Sequence, residues 1–110
     1  ENNTRYDIEI QIVKKNLRKR SRYYHSQMDM ETLASGHDYE ELPNNYVIFI
    51  CDFDPFGLKK YCYTFENCCL EDCELKLEDG CTSIFLSTRG ENPEEISKEM
   101  ELFLKFVRED

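Results

Sequence analysis

Apolar and polar residues alternate strictly over residues 6–13, with Ile8, Ile10 and Ile12 on one side and Asp7, Glu9 and Gln11 on the other. Successive side chains of an extended chain point to opposite faces, so this stretch predicts a β-strand whose isoleucines anchor it in a core. The period changes over residues 16–35. Leu17, Tyr24 and Met28 fall on one face of a helix there, and Gly36 is placed to end it. A polar loop through Pro43-Asn44-Asn45 leads into Tyr46-Val47-Ile48-Phe49-Ile50-Cys51, a continuous apolar run rich in β-formers. Such a run suits a central strand buried on both faces. The chain must turn at Asp52-Phe53-Asp54-Pro55-Phe56-Gly57. Residues 61–65 predict a further strand with Tyr61, Tyr63 and Phe65 on one side, and Asp79-Gly80 a tight turn before a strand at 83–87. The last element is a helix with Asn92 as N-cap, Pro93 at its first position and Glu95 closing a capping box. Its stripe of Ile96, Met100, Phe103, Leu104 and Val107 is a core face.

Strand, helix and buried strand make a βαβ unit, whose crossover is expected to be right-handed. With the later strands and the final helix, the pattern predicts a single α/β domain over residues 1–110, a mixed sheet with helices packed on its faces. A length of 110 residues is enough for one core. The chain starts just before a strand and ends inside a helix, so it is expected to be a piece of a longer protein that has lost its N-terminal helix and strands. No apolar run approaches the roughly 20 residues of a membrane helix, and the polar opening Glu1-Asn2-Asn3 is no signal peptide. A cytoplasmic protein with no membrane partner is expected.

Six cysteines invite a disulfide or zinc reading: Cys51, Cys62, Cys68, Cys69, Cys73 and Cys81. Nothing signals the export that disulfides need. Zinc would want paired C-x2-C knuckles, and Cys69 and Cys73 make only a lone C-x3-C. Reduced, partly buried thiols are the expectation. The net charge of −9 argues against a nucleic-acid binder until its distribution is read. Residues 1–22 hold seven Lys/Arg against three Asp/Glu, a net of +4, which leaves −13 for the rest. Lys14, Lys15, Arg18, Lys19, Arg20 and Arg22 form a basic stripe. On an acidic body such a stripe can grip phosphates while the remainder repels and so orients a duplex. The plainer alternative is a solvated helix face.

Hydrolysis of a phosphodiester near neutral pH needs an activated water and relief of phosphate charge, and a divalent metal held by carboxylates supplies both. Magnesium takes oxygen ligands and keeps several waters. Residues two apart on a strand project together, so Glu9 and Gln11 share a face. The backbone carbonyl of Ile10 is a further candidate ligand if the strand lies at a sheet edge. Alone, E-x-Q on a strand is equally explained by a polar, solvent-facing edge. Asp52 and Asp54 flank a strand end and are read as turn formers. His25 is read as a helix-surface residue and His37 as a loop residue. Of Tyr23 and Tyr24, one is expected in the core and the other against nucleic acid.

The strings Tyr6-Asp7-Ile8-Glu9-Ile10-Gln11, Arg20-Ser21-Arg22-Tyr23-Tyr24, Gly36-His37-Asp38-Tyr39-Glu40-Glu41-Leu42-Pro43, Phe49-Ile50-Cys51-Asp52-Phe53-Asp54-Pro55-Phe56-Gly57, Tyr63-Thr64-Phe65-Glu66-Asn67 and Leu77-Glu78-Asp79-Gly80 occur in this order. Together, from about residue 6 to residue 90, they resemble the PD-(D/E)XK nuclease family transposases, the bacterial recombination-promoting nucleases, in their E-x-Q variant. The resemblance implies a restriction-endonuclease-like fold and Mg2+- or Mn2+-dependent cleavage of DNA, with a homodimer where both strands are cut. By position it makes Glu9 and Gln11 catalytic, Glu9 and the Ile10 carbonyl metal ligands, and Lys14, Lys15, Arg18, Lys19, Arg20, Arg22 and Tyr23 DNA contacts. Gln11 stands where the general pattern has Lys; its amide can bond a water or a phosphate oxygen but brings no charge. The family's other motif Asp belongs to a preceding strand that this chain lacks, so the chain by itself is expected to be inactive or impaired. The alternative is a non-catalytic DNA- or protein-binding module on the same fold.

Overall fold

A computed structural model describes residues 4–11 and 16–110, the side chain of Gln11 excepted. Ile12, Val13, Lys14 and Lys15 therefore lie outside the described residues, and with them two of the basic residues expected at DNA. The elements in order are β1 (Thr4–Gln11), α1 (Leu17–Ala34), β2 (Asn44–Cys51), β3 (Cys62–Glu66), β4 (Cys68–Cys69), β5 (Asp72–Lys76), β6 (Cys81–Ser87) and α2 (Lys98–Val107). Among the described residues the main sheet runs β1-β2-β6-β3. The first three strands are parallel and β3 is antiparallel to β6. This mixed sheet flanked by two helices matches the expected restriction-endonuclease-like arrangement.

The continuous apolar run of β2 lies inside the sheet, as its composition requires. Its alternate residues feed two cores. Val47, Phe49 and Cys51 meet Leu17 and Met28 of α1, with Tyr63 and Phe85 beside them. Ile50 packs with Tyr61, Leu86 and Leu104 of α2, while Ile48, Met100 and Val107 line the margin. Burial of this kind removes about 2–3 kcal/mol worth of apolar surface per large side chain.

Several expectations fail in informative ways. Ile8 and Ile10 are 59% and 71% exposed and anchor no core. Among the described residues β1 is an edge strand of the sheet, and α2 covers the second face only over β2, β6 and the start of β3. Tyr61 precedes the strand that begins at Cys62 and packs on the α2 side, opposite Tyr63. The last helix does not start at Asn92. A 3-10 turn occupies Pro93–Glu95, and α2 begins after Ser97, whose hydroxyl accepts from the Met100 N–H. Asn92 is buried instead, accepting from the Tyr61 N–H at 2.8 Å and donating to Glu95 at 2.6 Å. Phe103 is 41% exposed, so the stripe buries less than its spacing suggests. The β4–β5 hairpin forms a separate two-stranded sheet that no periodicity announced. None of the six cysteines is in a disulfide, and burial pushes the Cys51 thiol up to about 12, an inert group.

Candidate active site

Glu9 stands opposite Phe49, and Asp7 opposite Val47, in the parallel register of β1 and β2. Paired residues share a sheet face, so both carboxylates lie on the face that α1 covers. Both are partly buried. Hydrogen bonding with the Asp7 carboxyl, then burial and the Asp7 charge, push the Glu9 carboxyl above the usual carboxylate range. The guanidinium of Arg20 pulls the other way. Carboxylate oxygens are hard donors of the kind magnesium takes. Among the described residues, no cluster of three or more His, Cys, Asp or Glu is arranged to hold a metal ion. The pair is thus a partial ligand set, open at the free edge of β1.

α1 starts beside this pair. Its first turn, Leu17-Arg18-Lys19-Arg20, contains no acidic residue, and Asn16, left-handed at φ 59°, gives the helix end no side-chain cap. Basic residues at the positive end of a helix dipole oppose it, and the arrangement is relieved by an anion. Arg18, Lys19, Arg22 and Tyr23 are exposed, and Arg20 is partly buried. Arg20 donates to the Tyr24 hydroxyl at 3.3 Å, while the Arg18 guanidinium lies 5.0 Å over the Phe56 ring on the other flank of the helix. Tyr24 packs on Phe49 at the margin of the core, as expected of one of the pair, and Tyr23 faces solvent.

His25 overturns its expectation as a surface residue. It is buried at 7% exposure, and desolvation lowers its pKa against the opposing charges of Asp29, Asp79 and Asp7. Its Nε2 lies 3.0 Å from the Ser83 hydroxyl, which itself is 2.6 Å from the Ser21 hydroxyl. Ser21 and His25 are one helical turn apart, but their meeting with Ser83 joins residues about 60 positions apart, and no sequence signal marks it. His37 is an exposed loop residue beside Glu41.

Asp54 holds the turn after β2. Its carboxylate accepts from the backbone N–H of Phe56, Gly57 and Lys59 and, at 2.7 Å, from the Tyr63 hydroxyl. Partial burial pushes its carboxyl up, yet the Tyr63 and backbone bonds outweigh this and hold it below the ordinary value. Asp52 serves a different structural purpose. It accepts from Thr88 at 2.6 Å, from Arg89 at 3.0 Å and from the Glu109 N–H at 3.2 Å, tying the end of β2 to the segment after β6 and to the C-terminal residues.

The sequence profile of the PD-(D/E)XK nuclease family transposases matches residues 1–109. The chain belongs to that family. No curated protein and no solved structure matches it. For a PD-(D/E)XK nuclease family transposase the polar edge strand beside a basic helix acquires a meaning that E-x-Q alone did not carry. DNA is the substrate that a nuclease family suggests. Among the described residues, no helix of this nuclease family member is long and apolar enough to cross a membrane.

Proposed function

We propose that the chain is the core of a divalent-metal-dependent DNA endonuclease, in which Glu9 is the metal-ligating carboxylate. The observation that carries this reading is the placing of Asp7 and Glu9 on one face of an edge strand, within the field of Arg20 and beside a helix end bare of acid. Mg2+ or Mn2+ would be held by Glu9, with the Ile10 carbonyl as a further ligand. Such an ion would polarise the scissile phosphate and lower the pKa of a bound water. Gln11 would orient a water or a phosphate oxygen through its amide. Asp7 reaches Glu9 but comes from the same strand, so it cannot approach an ion from the adjacent strand. We therefore hold that the edge of β1 needs a neighbouring strand bearing a carboxylate for full activity.

Plasmid nicking with Mg2+ or Mn2+ tests this directly. The chain as it stands should nick weakly or not at all. A version extended by the preceding segment of its natural protein, if that segment carries a strand with an Asp, should nick efficiently. Strong nicking by the unextended chain would show that no second strand is required. Absence of nicking in the extended chain would remove the endonuclease reading.

Lys14, Lys15, Arg18, Lys19, Arg20, Arg22 and Tyr23 would meet the DNA backbone with little reading of sequence. Each phosphate neutralised releases counterions and steepens the dependence of affinity on salt. Charge reversal at Arg18 and Arg22 together is expected to lower the slope of log affinity against log salt by about two. An unchanged slope in an anisotropy titration would take this helix out of the interface. A non-catalytic module remains the alternative, and under it binding would persist with no nicking in any form.

A further inference from the structure

On the far flank of α1 from Glu9, the same sheet face carries a cavity of about 290 Å3. Its walls are Phe56 from the turn after β2, Phe65 from β3 and Phe85 from β6; Arg18, Ser21 and Ser83 complete it. The rings form an interlocked set. Phe56 lies 5.0 Å from both Phe65 and Phe85, and Phe85 meets Phe56 and Phe65 nearly at right angles, at 88° and 86°. Phe65 remains 46% exposed, an aromatic face held in place but left open. The two hydroxyls are held rather than loose, because buried His25 fixes Ser83 and Ser83 bonds Ser21. A hydroxyl both donates and accepts, so this pair can meet the polar edge of a ring of either pattern.

The register places this cavity relative to the carboxylates. Glu9 is paired with Phe49, and Phe49 with Phe85, so the three form one row across the sheet. Glu9 and Phe85 are then two strand spacings apart, roughly 10 Å. α1 packs on β2 between them, with Arg20 close enough for its charge to act on Glu9 and Arg18 lining the cavity.

We propose that this cavity takes a single unstacked nucleobase of the DNA, stacked on Phe65, with its edge at Ser21 and Ser83 and its neighbouring phosphate at Arg18. The proposal rests on the DNA reading above and deepens it: the preferred substrate is DNA with an unpaired nucleotide near the cut. An aromatic slot is tolerant of sequence, since every base has a π-face, so it would select strand state instead of base identity.

The test is anisotropy binding of one oligonucleotide as a single strand and as a duplex, in EDTA so that cleavage plays no part. The single strand should bind more tightly. Phe65→Leu, which keeps an apolar side chain but removes the ring, should weaken single-strand binding about tenfold and leave duplex binding unchanged. Ser83→Ala should weaken the single strand alone. The fluorescence of a 2-aminopurine in the oligonucleotide should rise on binding to the wild type, as the base leaves the stack of its neighbours, and should not rise with Phe65→Leu. Equal weakening of both forms, or no weakening of the single strand, overturns the proposal while leaving the endonuclease reading intact. Failure of the wild type to bind either form overturns both. Thermal melting of each variant checks that its fold is retained, and Phe65→Trp, which restores a stacking face, should restore single-strand binding; failure of that rescue also overturns the proposal.

Discussion

Glu9→Ala is expected to lower the metal-dependent nicking proposed above, in the extended form, at least about 10²-fold, roughly 3 kcal/mol of barrier. Ala removes the charged oxygen ligands from the edge strand and leaves a partly buried Asp7 without its partner. The loss should appear in the rate at saturating metal and DNA, because the carboxylate acts on the ion and not on the duplex. DNA affinity in EDTA should hold or rise slightly, since a negative charge has left the basic neighbourhood of Arg20. Retained nicking would exclude Glu9 from the mechanism. The pH dependence gives a second check. Hydrogen bonding with Asp7, burial and the Asp7 charge raise the Glu9 pKa, while ligation needs the ionised form. In the absence of metal the Glu9 carboxyl should therefore titrate above an ordinary carboxylate, and Asp7→Asn should move that titration down. Stability runs in the opposite sense. With the folded pKa raised, this group favours the folded state below its ordinary pKa, and that contribution is lost as pH rises through the folded value. A bound divalent cation would relieve the resulting strain between the charges.

Phe49→Ala is expected to remove about 3–5 kcal/mol of stability. Phe49 is fully buried at the centre of the α1-side core, stacked on Phe85 with ring centroids 5.1 Å apart and 18° between planes, and touched by Tyr24. Sheet, helix and the neighbouring strand all close on this ring, so little of the void can collapse. Against a typical total of about 5–15 kcal/mol, such a loss leaves a small domain marginal or unfolded at room temperature. A urea titration followed by far-UV circular dichroism reads the change directly. A loss under about 1 kcal/mol would mean that the side chains around Phe49 can repack. Phe49 also stands in the row between Glu9 and Phe85, so a folded variant should show both of these flanking positions displaced.

Local chemistry was legible where it depends on neighbours along the chain. The alternation of β1, the apolar run of β2, the end of α1 near Gly36 and the turn held by Asp54 all follow from short-range rules of spacing and backbone preference. The crowding of basic residues into the first turn of a helix was also readable, and so was the pairing of polar residues on one side of β1. Capping was less secure. Asn92-Pro93-Glu94-Glu95 satisfies the same pattern as a helix start, but Asn92 is drawn into the core by the Tyr61 N–H, and Ser97 caps α2 instead. A local signal lost there to a distant unpaired donor.

From the amino-acid order alone came the opening strand, helix and buried strand, the mixed α/β class and the family likeness. Only the folded chain decided that β1 lies at an edge of the described sheet. That one fact exposes Ile8 and Ile10, which their pattern assigns to a core, and leaves the carboxylate pair open on one side. Alternation specifies that a strand has two different faces; it does not specify how far a helix reaches across either of them. Likewise the joining of Ser21 and His25 to Ser83, and the closing of Phe56 on Phe65 and Phe85, depend on sheet order and register. Those are set by the free energy of the whole packed arrangement, in which residues far apart in the chain become neighbours.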